Sequence, residues 1–170
     1  NVLRTRPDVF AGSRELLPPG AELFGHPGPE SDIEVARLMF AALAAAGLRD
    51  LHLDLGHVGV FRALAAEARL SEEIEGDLFE ALQRKARSQI EALLALCDAP
   101  TGTKAMLAVL ADLNGGTETL IRARELLKAA PPAVQVALIN LERVADAVTT
   151  AGVPVYIDLA ELRGYRYYTG

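Results

Sequence analysis

Leu51-His52-Leu53-Asp54-Leu55 alternates three leucines with two polar residues, the two-residue period of a strand with one face buried. A second stretch has the same texture: Val153, Val155, Ile157 and Leu159 alternate with Pro154, Tyr156 and Asp158. Between them, from about Phe61 to Ala151, Ala, Leu, Glu, Arg and Gln dominate, with breaks only at Pro100, Gly102, Gly115, Gly116, Pro131 and Pro132. That texture predicts about four helices. Strand, helices, strand is the order that decides the fold class: α+β, with a sheet-bearing core formed by residues 1–60 and 152–170 and a mostly helical insertion over 61–151.

Moving outward toward the amino end, Ser31-Asp32-Ile33-Glu34 has the form of a capping box. A helix is expected from there through Val35, Leu38, Met39 and Leu43, ending at Gly47, the residue best able to take a left-handed cap. Residues 1–29 are rich in Pro and Gly, which excludes a long helix. Ala21 to Gly25 reads as a short strand carrying Glu22. The strands near 21–25, 51–55 and 153–159 are expected to join one mixed, mainly antiparallel sheet. Within the helical stretch, Ser71 ahead of Glu72 and Glu73 predicts an N-cap, Thr117 and Pro132 mark two further starts, and Gly152 closes the last helix.

The 170 residues, 51% hydrophobic and 24% charged, suffice for one sizeable core. Seventeen Lys and Arg against 23 Asp and Glu leave a net charge of −6, which argues against affinity for the nucleic-acid backbone. The single cysteine, Cys97, excludes an internal disulfide and a multi-Cys metal site, and fits a reducing compartment such as the cytoplasm. The chain starts with Asn and carries Arg4, Arg6 and Asp8 where a secretory signal would be apolar, so a piece of a longer protein is expected. Leu38 to Leu48, the longest nearly charge-free run, is too short to span a bilayer.

Few side-chain sets suggest chemistry. His52, Asp54 and His57 fall close together, but no second Cys or His group supports a metal centre, and solvent-facing positions explain them. No Gly-x-Ser-x-Gly motif is present. Cys97 ends an apolar helix where a packed thiol is ordinary, and Gly115-Gly116 lacks the context of a phosphate loop. Arg4, Arg6 and Arg14 cluster where a phosphate or carboxylate could be gripped. The closing Arg163-Gly164-Tyr165-Arg166-Tyr167-Tyr168-Thr169-Gly170 concentrates three of four tyrosines. Hydroxyls beside an arginine suit a small zwitterion.

Taken together, these stretches resemble the catalytic core of the histidyl-tRNA synthetase family, a class II aminoacyl-tRNA synthetase fold. The segments Leu3-Arg4-Thr5-Arg6-Pro7, Ser13-Arg14-Glu15-Leu16 and Gly20-Ala21-Glu22-Leu23-Phe24-Gly25 resemble the second class II signature and the strand after it. Asp32-Ile33-Glu34 resembles the family's Asp-Ala-Glu helix start. The closing segment resembles the histidine-specific motif Arg-Gly-Leu-Asp-Tyr-Tyr-Thr-Gly. Arg6 stands where the family has an ATP-holding glutamate, Gly12 where it has a phosphate-gripping arginine, Pro18 where it has a glutamine of the histidine pocket, and Arg166 where it has aspartate. Losing such contacts, at roughly 1.5–3 kcal/mol per charged hydrogen bond, argues against aminoacylation.

The pattern is similar to a synthetase-like paralogue family, the regulatory subunits of ATP phosphoribosyltransferase. The runs Leu51 to Arg62 and Phe79 to Ala86 resemble that family too. The resemblance implies a non-catalytic chain that joins the short catalytic subunit in a hetero-octamer, serves the first step of histidine biosynthesis and responds to histidine as effector, with no cofactor and no metal. It implies histidine binding by Glu22, Arg163, Tyr167 and Tyr168, with Tyr168 favoured over Tyr167 for the pocket, and a possible anion contact at Arg4 and Arg14. The competing readings are a fragment of an active histidyl-tRNA synthetase, which those departures weaken, and a synthetase-like domain that binds uncharged tRNA, which the acidic balance disfavours.

Overall fold

A proline that fixes φ and lacks an N–H fits the first turn of a helix, where that N–H would have no partner. Pro29 occupies this place in α1 (Pro29–Ala45), with extended Gly28 as its N-cap. The helix therefore begins ahead of the expected capping box. Ser31 instead donates its hydroxyl to the His26 carbonyl at 2.9 Å, tying the preceding chain to the first turn. The carboxy end is as expected: Gly47, at φ 84, donates to the Ala44 carbonyl while Leu48 donates to that of Leu43.

The computed structural model describes residues 20–163 and 165, together with the backbone of 2–3 and 15–16. The latter form β1 (Val2–Leu3) and β2 (Glu15–Leu16), an antiparallel pair. After α1 come β3 (Leu53–Leu55), α2 (Val58–Glu67), α3 (Glu72–Gln83), α4 (Arg87–Leu96) and α5 (Thr101–Val109). A 3-10 turn (Leu110–Asp112), β4 (Asn114–Gly115), α6 (Glu118–Leu126), α7 (Pro132–Thr150) and β5 (Val155–Asp158) complete the order.

Both alternating stretches are strands, and they pair in parallel, with Leu53 opposite Val155 and Leu55 opposite Ile157. The third strand is not Ala21–Gly25. It is β4, antiparallel to β5 with Gly115 opposite Ile157, so the first of the two glycines read as a turn also belongs to a sheet edge. Residues 21–25 form no strand and lie exposed, because Gly25 at φ 92 turns the chain and Phe24 is 84% exposed.

The helical stretch holds six α-helices rather than about four, because two helices stop without Gly or Pro. Arg69 at φ 50 and Lys85 at φ 52 take the left-handed position themselves. Each stop is closed by paired backbone bonds, Leu70 to Ala65 and Ala86 to Ala81 among them. Ser71 caps α3 as expected, accepting from the Ile74 amide, and Pro132 opens α7.

One buried cluster joins helices and sheet. Phe61, Leu64, Leu78, Leu82, Leu107 and Leu138 share it with Ile157, Leu159 and Leu162, each buried side chain contributing roughly 1.5–3 kcal/mol. α2 packs on α5 and α7, α3 on α4, and α7 also carries α1 and α6. Ion pairs link these layers: Arg143 to Glu30 and Arg124 to Glu142. Along α1, Leu38 and Met39 remain exposed beside a groove of about 510 Å³ shared with Gly20 and Ala21.

Candidate functional site

The turn after β5 delivers the closing motif. Asp158 shapes it, because its Oδ1 accepts from the Ala160 amide at 2.9 Å and its carbonyl accepts from Glu161 at 3.1 Å. Its Oδ2 meets Lys85 Nζ at 2.7 Å, and the left-handed backbone at Lys85 that ends α3 sends this ammonium toward the turn. Leu159 donates to the Leu113 carbonyl and Leu162 is fully buried, so the turn is pinned to the core on both sides.

Arg163 projects from this turn with its side chain 77% exposed. Its Nε and Nη2 donate to the two oxygens of Glu161 at 2.8 and 2.6 Å, and its amide donates to Glu161 Oε1 at 2.9 Å. This two-pronged grip, with burial opposing it, holds the Glu161 carboxyl below the usual carboxylate range, and Lys85 adds to it. Gln83, Asp158, Ala160, Glu161 and Arg163 surround a polar hollow of about 260 Å³. A guanidinium displayed this way, already holding one carboxylate, can hold another from a small ligand.

Two residues further on, Tyr165 is the point where the turn meets the helices. Its ring centroid is 5.4 Å from those of Phe61 and Phe79, with the Arg62 guanidinium 4.8 Å from its face. Arg62 Nη2 donates to the Tyr165 carbonyl at 2.7 Å, and the Tyr165 hydroxyl donates to Glu75 Oε1. Burial first, then the Glu75 carboxylate, pushes the phenol up to about 12, so it remains a donor.

Of the expected site residues, Arg163 therefore stands in a built turn. Glu22 lies in exposed chain before α1 rather than on a strand, and among the described residues no hydrogen bond or ion pair joins it to Arg163. Tyr167, Tyr168, Arg4 and Arg14 lie outside the described residues, as do Arg6, Gly12, Pro18 and Arg166. Sequence reading missed Tyr165, Arg62 and Glu75. The available signal was a tyrosine where the synthetase motif has leucine, since a larger ring with a hydroxyl needs a pocket and an acceptor.

The histidines do not assemble a metal set: among the described residues no three His, Cys, Asp or Glu cluster. His52 and Asp54 form an exposed pair at 3.9 Å. His57 caps α2 instead, its Nδ1 accepting from the Gly59 amide at 3.1 Å. Burial pushes the His57 imidazole below its ordinary value, against the pull of Asp32. Cys97 is buried, with its thiol donating to the Leu93 carbonyl at 3.2 Å. No described helix is long and apolar enough to cross a membrane.

A protein-family profile described as histidyl-tRNA synthetase matches residues 1–170. The chain is 49% identical over 172 residues to a Pseudomonas aeruginosa protein named ATP phosphoribosyltransferase regulatory subunit, covering all of this chain and 43% of that protein. Proteins of the same name from Methylococcus capsulatus and Thioalkalivibrio sulfidiphilus are 48% and 47% identical, matching 100% and 99% of this chain and 42% and 43% of their own length. The chain thus spans less than half the length of these relatives. Among solved structures, one titled ATP phosphoribosyltransferase regulatory subunit/histidyl-tRNA synthetase from Bacillus halodurans aligns with a TM-score of 0.71 at 29% identity. That alignment covers 86% of this chain and 38% of the other.

Proposed function

This chain belongs to the histidyl-tRNA synthetase family, and from that membership we propose that the protein it is part of acts as a regulatory subunit of ATP phosphoribosyltransferase rather than as a synthetase. The observation that carries the reading is the 49% identity, sustained over the whole chain, to proteins bearing that name. The replacements at Arg6, Gly12 and Pro18 support it, since each removes a group that the synthetase motifs use for ATP or histidine, and Arg166 departs from the aspartate of the closing motif.

In this reading the chain supplies no catalysis. It joins the short catalytic subunit in a hetero-octamer in the cytoplasm, for the first step of histidine biosynthesis, and carries histidine as a feedback effector. Glu22 meets the ligand's ammonium group, Arg163 its carboxylate, and Tyr168 or Tyr167 its side, with Arg4 and Arg14 available to an anion. Arg163 suits this role because its guanidinium is presented from a fixed turn. An effector site of this kind binds the amino acid without activating it. We also propose that residues 1–60 and 152–170 form the synthetase-like core and 61–151 an insertion.

The test is pyrophosphate exchange with full-length protein, histidine and ATP. The expected result is no exchange above background. Robust histidine-dependent exchange overturns the regulatory reading in favour of an active synthetase.

A further inference from the structure

α1 is apolar on two sides, and only one of them has a neighbour among the described residues. Pro29, Ile33, Ala36 and Phe40 recur at i, i+4, i+7 and i+11 and are buried or half-buried, on the side packed against α7. Val35, Leu38, Met39 and Ala42, at i, i+3, i+4 and i+7, form a second stripe that lines the groove of about 510 Å³. Leu38 there is 54% exposed and Met39 41%. Glu30, Glu34 and Arg37 occupy the remaining side. α1 adds no side chain to the buried cluster, and Leu23, Phe24 and Leu48, beyond its two ends, are exposed as well. A helix apolar over most of its circumference belongs in an interior, and a contiguous apolar patch marks a surface that another surface covers.

We propose that this face of α1 is an intramolecular interface, covered in the full-length protein by polypeptide from outside residues 1–170. Two observations select that occupant. The chain matches only 42–43% of the length of its relatives, so a protein of their length brings more than half of its residues from outside this chain. The groove is also hollow and free of charged side chains, with Gly20 and Ala21 completing its lining. A second copy presenting the same hollow across a two-fold axis would set groove against groove and leave both unfilled. An apolar ridge from elsewhere in the same polypeptide fills it, and permanent interfaces are the more apolar kind. The inference does not use the histidine site and stands apart from the regulatory reading.

The test uses the full-length protein on its own, without histidine or catalytic subunit. Under dilute hydrogen peroxide, Met39 is expected to oxidise as slowly as Met106, which is 9% exposed, and roughly tenfold or more slowly than in the same protein unfolded by guanidinium. Leu38→Asp is expected to lower the melting temperature by several degrees, because it places a carboxylate in the covered face. Benzoylphenylalanine substituted at Leu38, in a mixture of isotope-labelled and unlabelled protein, identifies the occupant by photo-cross-linking and mass spectrometry. The expected product joins that position to a peptide outside residues 1–170 of the same copy. Met39 oxidising at the unfolded rate, or a melting temperature unchanged by Leu38→Asp, overturns the covered face. A cross-link that joins two copies, or one that falls within residues 1–170, overturns the assignment of the occupant.

Discussion

Gly56 and Glu161 touch with no room for a side chain between them: a β-carbon at Gly56 would stand 2.6 Å from the Glu161 carbonyl oxygen and 2.9 Å from that of Asp158. The end of β3 is thereby pressed against the turn that carries Arg163, and both obstructing atoms are backbone. Gly56→Ala is expected to cost about 1–3 kcal/mol, lowering the melting temperature by roughly 2–12 °C. Circular dichroism melts check this; an unchanged melting temperature refutes the close approach.

Asp158 serves the same turn with two oxygens, one on the Ala160 amide and one on Lys85. Asp158→Ala removes both and should destabilise by about 1–2 kcal/mol. Asp158→Asn retains an acceptor for the amide and loses only the partly exposed ion pair, so it should cost less, below about 1 kcal/mol. Denaturant midpoints of the two variants give the order, and an equal loss in both contradicts the division of roles.

His57 predicts a pH dependence. Its folded-state affinity for protons is below that of the unfolded chain, so the unfolded state binds more protons as the pH falls. Stability is full above the ordinary histidine range near 6.5 and declines as the pH drops from there toward the lower folded value. Protonation of Nδ1 also removes the acceptor that caps α2. Melts at pH 7.5 and 5.5 should show a smaller acid-induced drop for His57→Asn, which keeps a capping oxygen, than for the wild type.

Glu161 occupies the guanidinium proposed to hold a ligand carboxylate. Glu161→Gln should loosen that internal grip and tighten histidine binding, by roughly two- to tenfold. Because the Arg163 side chain is largely exposed, the stability change should be below about 1 kcal/mol. Weaker histidine binding in this variant would show that Glu161 supports the ligand rather than competing with it.

Local signals made much of this fold readable. The alternation at Leu53-Asp54-Leu55 and Val155-Tyr156-Ile157 is a one-face pattern, and Gly47 and Gly152 both sit at positive φ past a helix end. What escaped depends on neighbours distant in sequence. Nothing in Arg69 or Lys85 announces a left-handed stop. The apolar content of Ala21 to Gly25 cannot form a strand without an adjacent backbone, and the parallel pairing of β3 with β5 is set by helices between them. At the candidate site, Arg163 was legible from the closing motif. The anchoring of Tyr165 was not, because Arg62 and Glu75 are brought to it only by the folded positions of α2 and α3.

The regulatory role is tested most directly by phosphoribosyl transfer from phosphoribosyl pyrophosphate to ATP, measured for the short catalytic subunit with and without the full-length protein as histidine is raised. A regulatory subunit makes transfer depend on its addition and makes the assembled activity fall with histidine. A catalytic chain equally active alone, and indifferent to histidine after the protein is added, contradicts that role.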